Sequence, residues 1–358
     1  MSRPTVAVIG GGMAGISLAA RAAHRFDVTV LEAESQPAYH SSGRSAAVAI
    51  ECYENDVVRA LTVPGMDYHR AHGAKPIGCV TVADEDHLDL LDAFEAQWSP
   101  ISRSLVEMPA DELLARVPIL RREVVARVLI ETDALSLDAH RLLESFRKAL
   151  TAAGGRLVTN ARVDRIDRTG SGWRLSWGDE SLTVDVLVNA AGAWGDGVAA
   201  LAGVTPLGLA PKRRTAFLLE TGLEVRGWPL VHRVQGGLYF KPEAGQLMVS
   251  LAEATPSPAC DAQPEELDLA VAVDRFQRMT TLTVERLAHR WAGLRTFLPD
   301  GIPAAGFDPD VEDFFWLVGQ GGFGIQTAPY LSEVAASLLT GAGHPLSARI
   351  DPGRFRDD

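Results

Sequence analysis

The fold of this chain is decided by the stretch from Thr5 to Glu32, TVAVIGGGMAGISLAARAAHRFDVTVLE. Its first residues, Thr5 to Ile9, form a short β-branched apolar run that is typical of a strand buried on both faces of a parallel sheet. A G-x-G-x-x-G spacing follows, and an alanine-rich helical pattern then runs from Ile16 to His24. Asp27 to Leu31 restores a strand. The stretch therefore predicts one complete βαβ unit.

The glycines of this unit each meet a physical need. Gly10 permits the tight turn, Gly12 lets the backbone approach a pyrophosphate, and Gly15 allows the helix to pack closely on the strand. A pyrophosphate would rest on the N–H groups and the positive dipole end at the helix start. Glu32 is placed to accept hydrogen bonds from an adenosine ribose. The unit therefore predicts dinucleotide binding, and the alternative is an ordinary glycine-rich loop.

Two later segments repeat the arrangement of strand, small residues and helix. Val184 to Asn189 reads as a buried strand that leads into Ala190-Ala191-Gly192-Ala193-Trp194 and a helix through Leu201. Phe314 to Val318 leads into a glycine loop at residues 319–324 and a helix from about Thr327 to Leu339. A helix start behind a glycine loop is a second anion or carbonyl site. We expect one large cofactor to be held at both ends.

The rest of the chain predicts a second sheet. Leu137 to Leu150 is a helical pattern with Asp138 as N-cap, and Arg162 to Arg168 with Trp173 to Trp177 predicts a hairpin. Glu265 to Leu287 is a mainly helical pattern. Four short β-like runs lie between these elements: Val80 to Val82, Ala216 to Leu219, Gly237 to Phe240 and Leu247 to Leu251. They predict a mainly antiparallel sheet built from two insertions into the nucleotide domain.

Composition narrows the class of protein. The chain has 358 residues with 33 glycines, 3 cysteines and a formal net charge of −12. Two domains are the natural expectation at this length, and the acidic balance disfavours nucleic acid as a partner. The scattered cysteines favour a reduced, cytoplasmic setting. We expect no signal peptide and no transmembrane segment. We also expect no metal site, because His69 and His72 lack further spaced ligands.

Several motifs together resemble the D-amino acid oxidase superfamily of flavoproteins. The likeness rests on the βαβ unit and on three segments, Tyr39 to Ala47 (YHSSGRSAA), Ala190 to Trp194 and Gly321 to Gln326. Within the superfamily the chain is most similar to the bacterial FAD-dependent D-arginine dehydrogenases. That finer likeness adds three further segments: Pro211 to Arg214, Leu238 to Pro242 and Trp291 to Arg295.

The resemblance implies an α/β fold with a Rossmann-like FAD-binding domain of the glutathione-reductase-2 type. That domain would comprise residues 1–50, 135–205 and 291–358, interleaved with a substrate domain of mainly antiparallel β-sheet plus helices at 51–134 and 206–290. Residues 314–326 hold no cysteine or histidine, so the FAD is expected to be non-covalent. The implied cofactor-binding residues are Gly10, Gly12, Met13, Ala14, Gly15, Glu32, Ala33, Ser41, Ser42, Arg44, Ser45, Ala46, Ala47, Val163, Ala191, Gly192, Trp194, Arg295, Gly321, Gly322, Phe323, Gly324, Ile325 and Gln326.

The resemblance also implies the substrate contacts. Arg214 and Arg295 match carboxylate-binding arginines, a task that suits the paired N–H donors of a guanidinium. Tyr53 and Tyr239 match tyrosines that close over the substrate. The alternative for each arginine is a surface ion pair. Because the run from Lys212 to Arg214 is an ordinary run of charges, Arg214 is the weaker candidate for carboxylate binding.

The predicted reaction is oxidative deamination of a D-amino acid. Hydride would pass from the α-carbon to flavin N5, and the imino acid would hydrolyse to a 2-oxo acid and ammonia. D-arginine enzymes carry a histidine where this chain has Val48, and a glutamate for the substrate guanidinium where it has Gly78. An unpaired buried cation is costly, so we expect a neutral side chain in the substrate. The partner is therefore a small amino acid or amine that carries a carboxylate.

Two other functions stay open. One is an oxidase or dehydrogenase of a secondary amine, such as an N-methyl or cyclic imino acid. The other is a non-catalytic flavin-binding partner protein with a vestigial pocket. The electron acceptor is a quinone or O₂. Sarcosine oxidase relatives use a lysine near the flavin, on a strand that corresponds approximately to Gln246 to Leu251. The four lysines of this chain lie elsewhere, at positions 75, 148, 212 and 241. Their positions favour a dehydrogenase.

Overall fold

The computed structural model describes residues 3–356, in two main sheets with helices on their outer faces. The helices are α1 (Met13–Ala22), α2 (Asp56–Thr62), α3 (Met66–Ala71), α4 (Leu88–Trp98), α5 (Ala110–Arg116), α6 (Ala139–Ala152), α7 (Gly195–Leu201), α8 (Glu266–Met279), α9 (Gly324–Leu339) and α10 (Ser347–Ile350). Within those residues, no helix combines the length and the apolar character that crossing a bilayer requires.

The strands fall into the two main sheets and two small ones. They are β1 (Thr5–Ile9), β2 (Asp27–Leu31), β3 (Val48–Ala49), β4 (Lys75–Pro76), β5 (Cys79–Ala83), β6 (Leu105–Glu107), β7 (Arg127–Glu131), β8 (Leu135–Ser136), β9 (Arg156–Val158), β10 (Arg165–Thr169), β11 (Gly172–Trp177), β12 (Glu180–Val184), β13 (Val186–Asn189), β14 (Ala210–Leu219), β15 (Leu230–Arg233), β16 (Tyr239–Glu243), β17 (Gln246–Ser250), β18 (Thr255–Pro256), β19 (His289–Phe297), β20 (Ala304–Phe307) and β21 (Phe314–Val318).

The first main sheet has the order β20-β21-β13-β1-β2-β9 and is parallel except at its β20 edge. Its central strand β1 is buried on both faces, as its apolar run predicts. Val6 and Val8 pack with helices α1, α6 and α9, while Ala7 and Ile9 pack against the three-stranded sheet β10-β11-β12. The predicted βαβ unit is therefore confirmed, and it forms the middle of a three-layer domain.

The second main sheet has the order β18-β14-β17-β16-β15-β5-β7-β6, with β19 also paired to β14. All its pairs are antiparallel except β15 with β5. Alternation divides its side chains between two faces. Phe217, Val231 and Phe240 pack into a core with α8, whereas His232 and Tyr239 turn toward the first sheet.

The structure changes three of the predicted elements. The run from Val184 to Asn189 is split at Asp185, whose carboxylate accepts hydrogen bonds from the N–H and hydroxyl of Thr5. The predicted hairpin therefore gains a third strand, β12. Helix α8 ends at Met279 rather than Leu287, where a β-branched Thr-Thr pair disfavours helix. Helix α9 begins at Gly324, three residues earlier than predicted.

Strand β19 was absent from the sequence prediction. It pairs with β14 from His289↔Leu218 to Phe297↔Ala210, so it lies in the second sheet. The segment thus crosses from one main sheet toward the other just before Leu298, which packs in the core of the first sheet. The proposed domain boundaries stay a prediction.

Candidate active site

A cavity of about 1040 Å³ lies between the two main sheets. Its lining runs from Glu32 and Arg162 at one end to Arg214 and Tyr239 at the other. The four predicted substrate residues and nearly all predicted cofactor residues line it. Two do not: Gly15 and Phe323 lie behind the wall. One connected space therefore contains both predicted sites.

The turn that begins at β1 is fixed by close backbone contacts. Gly10 has φ +113°, and a Cβ there would lie 2.4 Å from the carbonyl oxygen of Ala190 at the end of β13. A Cβ on Gly15 would lie 2.0 Å from the carbonyl oxygen of Gly10. These two glycines hold α1 against the strand ends, as predicted for Gly15. The start of α1 consequently points into the cavity.

The nucleotide end of the cavity has a firmly held carboxylate. Glu32 Oε2 accepts a hydrogen bond from the Gly11 N–H at 2.7 Å, and Oε1 accepts one from the Glu34 N–H at 2.8 Å. Each carboxylate oxygen retains a further acceptor position. A Cβ on Gly12 would lie 3.2 Å from Ser42 Oγ, which accepts from the Met13 N–H. The missing side chain leaves a cradle at the helix start that fits a pyrophosphate.

The segment from Tyr39 to Arg44 is tied to the second sheet. Ser41 Oγ donates to the Leu294 carbonyl oxygen at 2.6 Å. The Arg44 guanidinium donates to the carbonyl oxygens of Ala262 and Ala292 and to Asp261 Oδ1, at 2.8, 3.1 and 2.5 Å. Both side chains line the cavity, yet their donors tie the segment to β19 and to the loop at residues 261–262. Their predicted cofactor contacts stay a prediction.

The far end of the cofactor region is set by Gln326 in the first turn of α9. Its Nε2 donates to Thr62 Oγ1 at 2.8 Å and to the Ile50 carbonyl oxygen at 3.2 Å. The main-chain carbonyl oxygen of Gln326 accepts a hydrogen bond from His69 Nε2 at 2.8 Å. His69 is thus buried against the start of α9. Gln326 joins α9 to the segment that leads to Tyr53.

Two arginines converge on the opposite end of the cavity. Arg214 on β14 is opposite Gly293 on β19, and Arg295 is opposite Lys212. Directly opposed residues share a face and side chains repeat every two residues, so Arg214 and Arg295 lie on one face. Their side chains are 17% and 15% exposed. Arg213 points the other way and pairs with Asp268 and Glu265.

Each arginine is positioned from behind by the protein. Arg214 Nε donates to the Glu253 carbonyl oxygen at 2.6 Å, and Glu253 Oε2 lies 4.0 Å away. Arg295 Nη2 donates to the Tyr53 hydroxyl at 2.5 Å and lies 3.6 Å from Glu54 Oε1. A Cβ on Gly322 would lie 1.6 Å from Arg295 Nη2, so the guanidinium rests on bare backbone.

Electrostatics favour an anion between these arginines. Burial lowers the pKa of Arg214, and the neighbouring charge of Arg295 lowers this pKa further. Burial raises the pKa of the Tyr53 hydroxyl, an effect that Arg295 opposes. Tyr53 is therefore a neutral hydroxyl at pH 7, able to donate a hydrogen bond. A bound carboxylate would relieve the repulsion between the two guanidinium groups.

Beyond the arginines the lining is neutral and largely apolar. Burial lowers the pKa of His232 to about 4, so its imidazole is uncharged at pH 7, and Nε2 is hydrogen-bonded to Thr81 Oγ1 at 2.9 Å. Burial raises the pKa of the thiols of Cys52 and Cys79. Other members of this wall are Val48, Ile50, Phe94, Gln97, Trp98 and Leu230. Gly78 faces Ile130 instead of the cavity.

The comparisons agree with a flavin-dependent oxidoreductase. A model of the DAO family, described as FAD dependent oxidoreductase, matches residues 5–338. The chain belongs to this family. It is therefore an FAD-dependent enzyme. The cavity lining from the start of α1 to the start of α9 fits that group, and the individual FAD contacts stay a prediction.

Two relatives by sequence give the range of the likeness. The FAD-dependent oxidoreductase domain-containing protein 1 of Bos taurus is 24% identical over 329 residues, which are 78% of this chain and 65% of that protein. The chain thus spans about two thirds of that relative. A glycine oxidase of Pseudomonas putida is 26% identical over 365 residues, covering 98% of this chain and 97% of that protein.

A solved structure supports the fold. The L-proline dehydrogenase from P. horikoshii superposes with a TM-score of 0.87 at 20% identity, covering 99% of this chain and 98% of that one. At that identity the likeness shows the fold alone. The finer resemblance to D-arginine dehydrogenases stays a prediction, because these relatives are a glycine oxidase and a proline dehydrogenase.

Sequence reasoning missed several residues of this DAO-family cavity. Glu54, His232 and Trp98 line it, and Glu253 supports Arg214 from behind. No histidine was predicted for the site, yet His232 is among the lining residues. Its partner in the ladder is Tyr239, so strand alternation places both on the cavity face once the pairing is known. Glu54 follows Tyr53 directly, which was the available signal for it.

Proposed function

We propose that this oxidoreductase oxidises the C–N bond of an α-amino acid with a neutral side chain. The observation that carries the proposal is the pair Arg214 and Arg295, two guanidinium groups on one face of paired strands that both line the cavity. Two fixed cations with their donors directed into a largely buried space are matched to a carboxylate. The product imine of a primary amino acid hydrolyses to a 2-oxo acid and ammonia. With a cyclic substrate the nitrogen stays attached to the product.

The residues of the chain act mainly by positioning the substrate. FAD, when bound, supplies the acceptor for the hydride of the α-carbon. Arg214 and Arg295 hold the carboxylate, and the hydroxyls of Tyr53 and Tyr239 border the same space. Tyr53 also fixes Arg295 through its 2.5 Å hydrogen bond. Held at the carboxylate, the α-carbon loses its freedom to rotate away from the cofactor, which is an entropic contribution to rate.

The lining supports a neutral substrate side chain. Among the cavity residues that the structure describes, the acidic groups are Glu32 and its neighbours at the nucleotide end, and Glu54 next to Arg295. The wall formed by Ile50, Trp98 and Leu230 offers apolar contacts and no counter-ion. A cationic side chain placed there would lose its hydration without a partner. We infer that leucine- and phenylalanine-sized side chains suit the site, with the D configuration as the prediction from sequence.

The test is an anaerobic screen in which bleaching of the flavin absorbance near 450 nm reports substrate oxidation. The panel contains both enantiomers of phenylalanine, leucine, proline and arginine, together with glycine and sarcosine. Fast bleaching by a neutral α-amino acid supports the proposal. Bleaching by arginine far above leucine and phenylalanine contradicts the neutral side chain, and no bleaching by any amine favours a non-catalytic flavin-binding protein.

A secondary amine is the second candidate, favoured by the likeness in fold to an L-proline dehydrogenase. The same two arginines would hold the carboxylate of proline or of an N-methyl amino acid. Faster bleaching by proline or sarcosine than by primary amino acids would select this candidate.

We also infer a dehydrogenase rather than an oxidase. Among the described residues, no lysine lines the cavity. Lys241 lies two residues beyond Tyr239, is fully buried and is paired with Glu243. Peroxide formation in air at the rate of dye reduction would overturn this inference.

A further inference from the structure

Glu54 is a cavity residue that the arginine pair does not account for. Its Oε1 lies 3.6 Å from Arg295 Nη2, and its side chain is 36% exposed toward the cavity. The other carboxylates among the described lining residues belong to the nucleotide end, at Glu32, Glu34 and Asp164. A carboxylate beside Arg295 repels the substrate carboxylate. A favourable contact with a second group of the substrate must therefore offset this repulsion.

The backbone at Glu54 is held in an unfavourable conformation. Its φ is +61°, in the left-handed region where a residue with a Cβ is strained. The preceding residues fix the segment, because the N–H groups of Glu51 and Cys52 donate to Glu131 at 2.5 and 3.0 Å. Asparagine or glycine would suit this φ better than glutamate. The side chain of Glu54 is therefore the feature to explain.

We propose that Glu54 binds the ammonium group of the substrate and accepts its proton. This inference rests on the proposed function. In an α-amino acid the nitrogen and the carboxylate are bonded to the same carbon. With the carboxylate on Arg295 and Arg214, the nitrogen comes within a few ångströms of the group next to Arg295, which is Glu54. A distal cationic side chain, in contrast, would project toward the apolar wall.

The proton step is balanced within the site. The substrate ammonium N–H bond breaks, the proton passes to a Glu54 carboxylate oxygen, and the nitrogen keeps the electron pair. The nitrogen lone pair then assists departure of the α-hydrogen with its bonding electrons. Besides Glu54, the groups that act on the neighbouring Tyr53 are Arg295, Arg214 and Tyr239, and Arg295 is also the ion-pair partner of Glu54. An arginine side chain has no acceptor atom, and burial raises the pKa of the Tyr53 hydroxyl. The Glu54 carboxylate is therefore the base beside Arg295.

The competing explanation is a latch, in which Glu54 merely occupies Arg295 until a substrate displaces it. The two explanations differ in their response to the amine. Removing the charge of a latch strengthens every carboxylate ligand alike. Removing an ammonium partner weakens amino acids and strengthens carboxylates that lack an amine.

The test compares phenylalanine and leucine with 3-phenylpropanoate and 4-methylpentanoate, their counterparts without the amine. In the FAD-loaded enzyme, E54Q is expected to lower kcat/KM for the amino acid by about tenfold to a hundredfold. The Kd of the matching carboxylate, read from the shift of the flavin spectrum, should stay equal or fall. In E54Q, kcat/KM should also climb about tenfold per pH unit between pH 7 and pH 9, because free amine must be supplied by solution. Wild type should be flatter over this range.

Two further variants keep the result interpretable. E54N loses the carboxylate but suits the positive φ, so it should raise Tm while it lowers kcat/KM. E253Q is the matched control, because Glu253 lies next to Arg214 without lining the cavity. It should change the affinities for the amino acid and for its amine-free counterpart by the same factor.

The outcomes separate the inference from the proposed function. If wild type is bleached and E54Q shifts both ligands by the same factor, Glu54 is a latch and the inference is wrong. If wild type is bleached by no amine, the proposed function itself fails.

Discussion

At the scale of single residues, strand alternation assigns different roles to two adjacent arginines. Arg213 is paired with Asp268 and Glu265 outside the cavity, and Arg214 lines the cavity. We predict that R214Q lowers kcat/KM by about a hundredfold, since it removes a charged hydrogen-bond donor from the substrate carboxylate. R213Q should lower the free energy of unfolding by about 1–3 kcal/mol and leave kcat/KM near wild type. Steady-state kinetics and urea unfolding of both variants provide the check, and equal kinetic losses would contradict it.

A second residue prediction concerns the bare backbone beneath Arg295. In G322A the new methyl group would overlap the guanidinium, which lies 1.6 Å from the ideal Cβ position. Arg295 must then move, and we expect kcat/KM to fall about a hundredfold while FAD remains bound. The control is G343A, where no atom lies within 4 Å of the added Cβ. Normal kinetics in G322A would show that Arg295 does not hold the substrate.

Residue chemistry was predictable where one residue type has few other uses. The glycines at positions 10 and 15 were assigned from spacing alone, and the structure confirms their close contacts. The arginine run from Lys212 to Arg214 could not be divided without a strand register. The place of His232 depends on its pairing with Tyr239 of a neighbouring strand, which the residues around His232 do not encode locally.

At the scale of elements, the segment from Ile50 to Glu54 is fixed by the buried carboxyl group of Glu131. Burial raises the pKa of Glu131 from 4.5 to about 7. Below pH 4.5 the group is protonated in both states. As the pH rises toward 7, the unfolded chain ionises while the folded protein does not, so the free energy of unfolding falls, by up to about 3 kcal/mol.

E131Q tests this pH dependence. The fall in stability between pH 5 and pH 7 should be smaller in the variant, because glutamine has no ionised form to disfavour. Other groups contribute equally to both proteins, including His232, whose lowered pKa acts in the opposite direction. Urea unfolding at pH 5, 6 and 7 measures the difference, and parallel curves for the two proteins would refute the prediction.

The turn between β1 and α1 yields a further element prediction. G10A adds a methyl group 2.4 Å from the Ala190 carbonyl oxygen at φ +113°, so we expect a loss of about 3 kcal/mol in unfolding free energy. G12A meets only Ser42 Oγ at 3.2 Å, so the apoprotein should stay folded while its FAD affinity falls. Thermal unfolding of apoprotein and fluorescence titration with FAD distinguish the two variants. A G12A protein with wild-type FAD affinity would place the pyrophosphate elsewhere.

Elements were predictable where local pattern and packing agree. The run of β21 is apolar throughout, and it is a fully buried strand. Strand β19 was missed because Ala292 and Leu294 alternate with glycine and arginine, which are weak strand formers. Its partner β14, distant in sequence, determines its conformation through nine paired positions.

At the scale of the whole molecule, the cofactor cavity couples the two sheets. FAD contacts predicted on both sheets imply that FAD stabilises the pair, whereas ADP reaches only the nucleotide end. At a free concentration of 100 times Kd, a ligand adds about 2.7 kcal/mol to the unfolding free energy. We predict that FAD raises the Tm of the apoprotein by about 4 °C at this concentration. ADP at the same multiple of its own Kd should protect α1 but not α9 from hydrogen exchange. Equal protection of α9 by ADP would argue against a cofactor that spans the cavity.

The overall architecture was predictable because the βαβ unit restricts the possible topologies so strongly. A parallel sheet with its first strand at the centre follows from right-handed crossovers and buried strands. The contribution of Trp98 to the apolar wall was not predictable. It depends on how helix α4 of the inserted segment packs against the second sheet.

The order of strands in the first sheet has a consequence for biosynthesis. Strands β1 and β2 leave the ribosome first, but β13 receives its outer neighbour β21 only after residue 314 has been made. Helix α9, which packs on α1 and carries the far wall of the cofactor site, follows later still. A nascent chain made only as far as residue 314 therefore has the nucleotide cradle without the flavin end. Insertion of the flavin must therefore wait until α9 has been made and has folded. Nonsense or frameshift products that end before residue 314 should accumulate without the yellow cofactor.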